Sequence, residues 1–215
     1  MVIVHEVFQG IQGEGSQAGY PFTFIRLAGC NLHCEYCDTP EARDPVGTEE
    51  SVIELADRVA AMGLSRVMVT GGEPLLQKDG RVLIDALVER RLDVSVETNG
   101  SIDLEGVNPR ARIIMDVKTP GSGETRATNI MNLMWLKATD EVKFVLASRE
   151  DYVWGRDFCR TRGLFETGRM IHFSPVHGVL SATSLAEWIL ADRLNARIQI
   201  QLHKLLWPQG EPKLT

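Results

Sequence analysis

The sequence predicts an incomplete parallel α/β barrel of about six strands, in a single domain spanning residues 1–215. Three observations lead there. From residue 48 onward, short apolar runs of strand type alternate with longer amphipathic runs of helix type, the rhythm of a parallel sheet with right-handed crossovers. The chain has 215 residues, whereas a closed barrel of eight such units usually takes about 250. The first 47 residues mostly serve N-terminal strands and a cysteine loop, so the arc stays open, with loops or a partner subunit over its open side.

Taken in order, residues 2–8 alternate and read as a strand, followed by the glycine-rich Gln9-Gly10-Ile11-Gln12-Gly13-Glu14-Gly15. Such glycines either make a flexible surface loop or let backbone approach a ligand closely. Residues 22–27 follow Pro21 as a buried strand in which Arg26 is out of place: it pairs with a protein carboxylate or holds an anionic ligand. Residues 48–51 cap a helix running to about residue 62, with Val52, Leu55, Ala56 and Val59 on one face. A strand at 66–70, a helix at 79–91 with Val82, Leu83, Ala86 and Leu87 inward, and a strand at 92–97 come next. The rhythm goes on with a strand at 112–117, a weaker helix at 128–136, a strand at 141–146 and a helix at 150–162, which buries the lone Cys159. It ends with a strand at 170–173, a helix at 181–194 and a strand at 197–202.

Composition narrows the function. With 44% hydrophobic and 24% charged residues the chain folds rather than staying disordered, and no stretch approaches the roughly 18–20 apolar residues of a membrane span. The N-terminus lacks a basic region before an apolar run, so the expectation is a soluble cytoplasmic protein. A net charge of −6 argues against nucleic-acid binding.

Three of the four cysteines lie within eight residues, Cys30-Asn31-Leu32-His33-Cys34-Glu35-Tyr36-Cys37, spaced C-x3-C-x2-C. Clustered thiols in such a chain point to metal chemistry rather than disulfides. Two readings stand on the residues alone: a structural zinc closed by His33, or a 4Fe-4S cluster with one iron open to substrate or cofactor. The following Asp38-Thr39-Pro40 is either a plain turn or a place for magnesium, which takes few protein ligands. In parallel α/β architectures ligands gather at the C-terminal ends of the strands. There lie the cysteine loop, Thr70-Gly71-Gly72-Glu73-Pro74, Glu97-Thr98-Asn99-Gly100, Asp116-Val117-Lys118-Thr119-Pro120 and Ser174-Pro175-Val176-His177.

The cysteine spacing, with an aromatic residue before the last cysteine, resembles the signature of radical S-adenosylmethionine (SAM) enzymes, and Thr70-Gly71-Gly72-Glu73-Pro74 resembles their glycine-rich SAM motif. The resemblance implies that Cys30, Cys34 and Cys37 hold a 4Fe-4S cluster whose open iron binds SAM and cleaves it to a 5'-deoxyadenosyl radical. It implies cofactor contacts from Tyr36, Gly72, Glu73, Glu97 and Asn99, and further ones from Asp116, Val117 and Lys118 and from Ser174, Pro175, Val176 and His177.

Nearly the whole chain resembles the 7-carboxy-7-deazaguanine synthases, on Phe8-Gln9-Gly10-Ile11-Gln12-Gly13-Glu14-Gly15, Phe24-Ile25-Arg26-Leu27-Ala28-Gly29-Cys30-Asn31-Leu32, Cys37-Asp38-Thr39 and Leu202-His203-Lys204. That resemblance implies conversion of 6-carboxy-5,6,7,8-tetrahydropterin to 7-carboxy-7-deazaguanine with loss of ammonia, using SAM catalytically, with magnesium. Ile11, Gln12, Gly13 and Glu14 would line the pterin, Glu14 with a catalytic part; Arg26, Thr70, His203 and Pro208 would complete the substrate site, and Thr39 would bind magnesium. A homodimer and a flavodoxin- or ferredoxin-like electron donor are implied too. The sequence departs from the family pattern at Asp116-Val117-Lys118 and in the tail beyond His203. The competing readings are a radical-activating enzyme with a protein substrate, which gives the Gln12-Gly13-Glu14-Gly15 loop no task, and a metal-bearing binding protein, which has no need of the Gly71-Gly72-Glu73 turn.

Overall fold

The computed structural model describes residues 1–208. Its strands are β1 (Val2–Ile11), β2 (Pro21–Leu27), β3 (Thr48–Glu50), β4 (Arg66–Gly71), β5 (Asp93–Thr98), β6 (Arg112–Asp116), β7 (Glu141–Leu146), β8 (Met170–Pro175) and β9 (Arg197–Ile198). They form one sheet in the order β3-β1-β2-β4-β5-β6-β7-β8-β9. From β2 through β9 all neighbours are parallel, while β1 pairs antiparallel with both β2 and β3. The result is an open, mostly parallel arc: six full strands (β2, β4, β5, β6, β7, β8), a two-residue β9 and an antiparallel N-terminal flank.

Period-two alternation sorts the side chains of this arc onto two faces. Val67, Val69, Val94, Val96, Ile113, Met115, Val142, Phe144, Ile171 and Phe173 join one core with the apolar sides of α1 (Val52–Ala61), α2 (Gly80–Glu89), α3 (Arg149–Thr161) and α4 (Ala182–Ala191). Intervening residues face the lumen. Phe22, Met68 and Ile114, with Phe24 against them, make a small separate apolar cluster there. Thr70, Ser95, Glu97, Asp116, Glu141, Lys143, His172 and Ser174 are among the other positions on that face. Burial of a polar stripe beside a dry core is thus a direct product of the alternation.

Several expected elements differ. Residues 48–50 are strand β3, because they lie against β1 in the register Val2↔Glu50, Ile3↔Glu49, Val4↔Thr48, and the helix begins after Ser51. Val82 points outward, 50% exposed, and Ile84 and Val88 take its place inside. The helix expected at 128–136 is a set of 3-10 turns ending at Ile130–Met134. Asn129 and Asn132 divert it: the Asn129 side chain accepts from the Met131 amide, while buried Asn132 accepts from Leu104 N and donates to the carbonyls of Gly100 and Ile102. Such side chains compete with the helical ladder. The last strand stops at Ile198, and Leu202–Leu206 is a short helix, α5. Its entry is set by the Leu202 amide donating to Gly13 O at 3.0 Å. Ile11 closes β1 opposite Pro21 instead of lying in the loop. Cys159 is fully buried in α3, as expected, and burial pushes its thiol up to about 12.

Candidate active site

Two loops reach the lumen from opposite ends. The cysteine loop leaves the C-terminal end of β2, whereas residues 12–20 connect antiparallel β1 to β2 and so lie at the N-terminal end of the parallel strands. This second loop plugs the bottom of the arc. Gln17 bonds Asp93 and Ser95 at the start of β5, Ser16 bonds Glu141 at the start of β7, and the Gly15 amide donates to Gln199 Oε1 at 2.6 Å. Glu141 is held below the ordinary carboxylate range: burial opposes this, but His172, 2.7 Å away, and Ser16 outweigh it.

From the plug, Glu14 rises into the lumen. Its carboxylate meets Lys143 Nζ at 2.8 Å and accepts from Gln201 Nε2 at 2.7 Å and Gln199 Nε2 at 3.3 Å. Gln12 is buried, its side-chain oxygen accepting from the Glu14 amide. The His203 ring of α5 packs on Gly13, its Nδ1 1.9 Å from where a Cβ would lie. Pro208 is exposed at the end of the described residues. Lys143 also pairs with Glu97 and lies 3.8 Å from Asp116. Burial alone would lower its pKa; the carboxylates of Glu14, Glu97 and Asp116 outweigh that and hold the ammonium well above its ordinary range.

At the top, the cysteine loop is fixed by backbone rather than by its thiols. Gly29 N donates to Ala42 O, Cys30 N to Arg43 O, Glu73 N to Gly29 O and Glu35 N to Ser122 O, all between 2.8 and 3.1 Å. Arg43 Nη2 reaches Cys34 O at 2.7 Å. Gly71 and Gly72 lie against this base: a Cβ on Gly71, at φ +137°, would fall 2.0 Å from Leu27 O, and one on Gly72 2.2 Å from Gly29 O. Glu73 turns inward. It accepts from Leu75 N, Thr98 Oγ1 and Asn99 N, and burial pushes it up to about 7 despite those donors. Its carboxylate therefore ties the glycine turn to the end of β5 and offers the lumen little.

Cys30, Cys34 and Cys37 are free thiols. Among the described residues no three or more His, Cys, Asp or Glu side chains converge as ligands of a single ion would. A 4Fe-4S cluster makes no such demand, since its thiolates sit on separate irons. The surroundings fit it: Asn99 Nδ2 lies 3.8 Å and Leu32 N 3.5 Å from Cys30 Sγ, donors suited to a sulfur carrying negative charge. The other expected cofactor residues surround the same opening. Asp116 accepts from Lys118 Nζ at 2.9 Å and keeps a buried Oδ1 with no partner among the described residues. Val117 has its side chain in the outer core, which leaves only its backbone to the site. Tyr36 spends its hydroxyl on Val145 O and Thr119 Oγ1, and burial pushes it up to about 12. Ser174 and Pro175 end β8 buried, Val176 is half-buried, and His177 is exposed.

Arg26 resolves its odd place by pairing with Glu6 at 2.8 Å and by donating to Thr39 Oγ1 at 3.3 Å. Thr39 in turn donates to Asp38 Oδ1, whose other oxygen accepts from Gln201. Thr70 donates to Glu97 at 3.3 Å. Three polar residues of this lumen, Lys143, Gln199 and Gln201, were not expected from the sequence. For Lys143 the signal was available: it interrupts the apolar strand Val142-Lys143-Phe144 as Arg26 interrupts its own.

A cysteine loop over an open parallel arc, with a glycine turn beside it, defines a class: the sequence profile of the Radical SAM superfamily matches residues 24–118. Within it, the chain is 42% identical over 207 residues to the 7-carboxy-7-deazaguanine synthase of Chlorobaculum tepidum, covering 95% of this chain and 93% of that one. Identity to the enzyme of that name from Methanospirillum hungatei is 41% over 204 residues, covering 94% and 84%. The crystal structure of QueE from Escherichia coli matches with a TM-score of 0.76 at 25% identity, covering 94% of each chain. The chain belongs to the 7-carboxy-7-deazaguanine synthase family.

Proposed function

We propose that this chain converts 6-carboxy-5,6,7,8-tetrahydropterin to 7-carboxy-7-deazaguanine with loss of ammonia, in the biosynthesis of queuosine-type deazapurines. The observation that carries the reading is the meeting, in one lumen, of Glu14 from the plug with Glu97 and Asp116 from the cysteine-loop end. The lumen thus offers a carboxylate acceptor at its floor and further carboxylates toward the cysteine-loop end.

Cys30, Cys34 and Cys37 would hold the 4Fe-4S cluster. Bound there and reduced, the cluster would supply the electron for reductive cleavage of SAM, the source of the radical that C6 of the pterin would meet. Everything else is positioning by this chain. Gly71 and Gly72 bring bare backbone to the amino end of SAM, and Glu73 keeps that turn fixed. Glu97 and Asn99 would bond the ribose, with Asp116, Lys118 and Ser174 contributing further cofactor contacts and Tyr36, Val117, Pro175, Val176 and His177 bordering the cofactor. Below, Glu14 accepts from the donor-rich aminopyrimidine edge of the pterin, while Ile11, Gln12 and Gly13 form its bed. Arg26, Thr70 and His203 complete the walls, and Pro208 follows α5 beyond them. The plug closes the floor against water.

Thr39 would ligate magnesium together with the substrate carboxylate, the metal serving as template and charge neutraliser. Arg26 already directs a donor at the same hydroxyl oxygen, so cation and guanidinium would share the anionic group. A homodimer, a flavodoxin- or ferredoxin-like one-electron donor and a cytoplasmic location belong to this reading. No described helix is long and apolar enough to cross a membrane. Thr39→Val is expected to abolish the stimulation of turnover by magnesium while SAM still binds; an unchanged magnesium response removes Thr39 from the metal site. Product identity is read by mass, and SAM cleavage with no deazapurine would turn the reading to another substrate.

A further inference from the structure

Lys143 has no part in the reaction as described, and its surroundings call for one. It lies at the third position of β7, with its side chain 7% exposed and surrounded by three carboxylates. Those carboxylates come from different places. Glu14 rises from the plug at the bottom, Glu97 is the penultimate residue of β5 and Asp116 ends β6 at the top. In the reading above, Glu14 belongs to the pterin, while Glu97 and Asp116 belong to SAM.

A lysine ammonium has three rotatable donors on a flexible stem, which suits divergent acceptors better than a planar guanidinium does. With those carboxylates around it Lys143 stays a cation, so it serves neither as a base nor as a proton source. What it can do is hold two carboxylates at a fixed separation. Glu14 is otherwise bonded by Gln199 and Gln201, and Glu97 by Thr70; the ammonium is the group they share.

We propose that Lys143 is a positioning residue that grips Glu14 and Glu97 together and thereby sets C6 of the pterin against the 5' carbon of SAM. The inference rests on the substrate and cofactor assignments under the proposed function. Its consequence is a claim about coupling rather than rate alone. Without the ammonium, Glu14, Glu97 and Asp116 face one another with Lys118 as the nearby cation, and closely placed buried carboxylates cannot all stay ionised. One takes up a proton and turns away, and the two ligands lose register. The radical then meets C6 less often and ends as free 5'-deoxyadenosine after taking hydrogen elsewhere, at the expense of one electron from the external reductant and one SAM.

The test is Lys143→Met in the full chain, cluster-reconstituted under anaerobic conditions, with dithionite, SAM and the pterin. Iron content and 4Fe-4S absorbance report an intact protein. Deazapurine formation is expected to fall about 100-fold, as for an ångström-scale misplacement of reacting groups, while SAM cleavage continues, so that the ratio of deoxyadenosine to deazapurine rises by a comparable factor. A merely structural role lowers both products in proportion, so an unchanged ratio overturns the inference whatever the rate. Lys143→Arg keeps the charge but spreads the two carboxylates on a larger fork; it too is expected to raise the ratio, and serves as the test if Lys143→Met retains no cluster. An unchanged ratio in the arginine variant overturns the inference equally. Wild-type protein that makes no deazapurine defeats the substrate assignment, and this inference with it; wild-type turnover with unaltered variant ratios defeats the inference alone.

Discussion

Cys34→Ala is expected to abolish the 4Fe-4S absorption and the reductive cleavage of SAM together, leaving neither above background. Cys34 is nearly buried, and its position is set by its backbone, with Arg43 Nη2 on its carbonyl and the Cys37 amide 3.2 Å from that same oxygen. Removal of the sulfur therefore removes one ligand of three with little else disturbed. Two thiolates leave two irons of a cubane without protein ligands, and such a site holds neither the cluster nor its open iron. Cys159→Ala is the matched control: that thiol is buried in the outer core under α3, and its loss should leave absorption and cleavage intact. SAM cleavage surviving in Cys34→Ala would refute the ligand assignment.

Gly71→Ala carries the second large effect. Its Cβ would lie 2.0 Å from Leu27 O and 2.5 Å from Leu27 N, both backbone atoms of the strand that delivers the cysteine loop, and its φ of +137° is strained for any side chain. Overpacking of about 1–3 kcal/mol and backbone strain of similar size add, for a loss of about 3 kcal/mol or more. Chemical denaturation of the anaerobic protein reads this directly. Gly19 separates the two causes, because it has φ +93° with nothing within 4 Å of its Cβ; Gly19→Ala should cost the strain alone. If Gly71→Ala costs no more than Gly19→Ala, close approach of the two loops is not what demands glycine.

Much of this architecture could be read from the sequence because its signals are local. The β/α rhythm after residue 48 and the glycines of Gly71-Gly72 are written in short windows, and the cysteine spacing is shorter still. The antiparallel start was equally available: residues 12–20 contain no helix, and a parallel neighbour needs a crossover of a dozen or more residues. What escaped detection depends on distant partners. Lys143 acquires its meaning from Glu14, far away in sequence, and Gln199 and Gln201 from the plug that they bond. The helix expected at 128–136 failed for the same reason, since Asn132 is used to hold residues 100–104 rather than its own turn. Glu73 shows the reverse: its sequence motif suggested a ligand contact, and its burial gives it a structural duty.

In the proposed function one lumen, with the plug below and the cysteine loop above, brings pterin and SAM together so that the hydrogen taken from the substrate is returned. The most direct test of this is the SAM balance during turnover. Reconstituted, dithionite-reduced protein is given magnesium, a limiting amount of SAM and an excess of 6-carboxy-5,6,7,8-tetrahydropterin under anaerobic conditions, and both SAM and products are quantified by mass. Many molecules of 7-carboxy-7-deazaguanine are expected for each SAM lost. One SAM consumed for each deazapurine, or SAM cleaved with none formed, would contradict the proposed function.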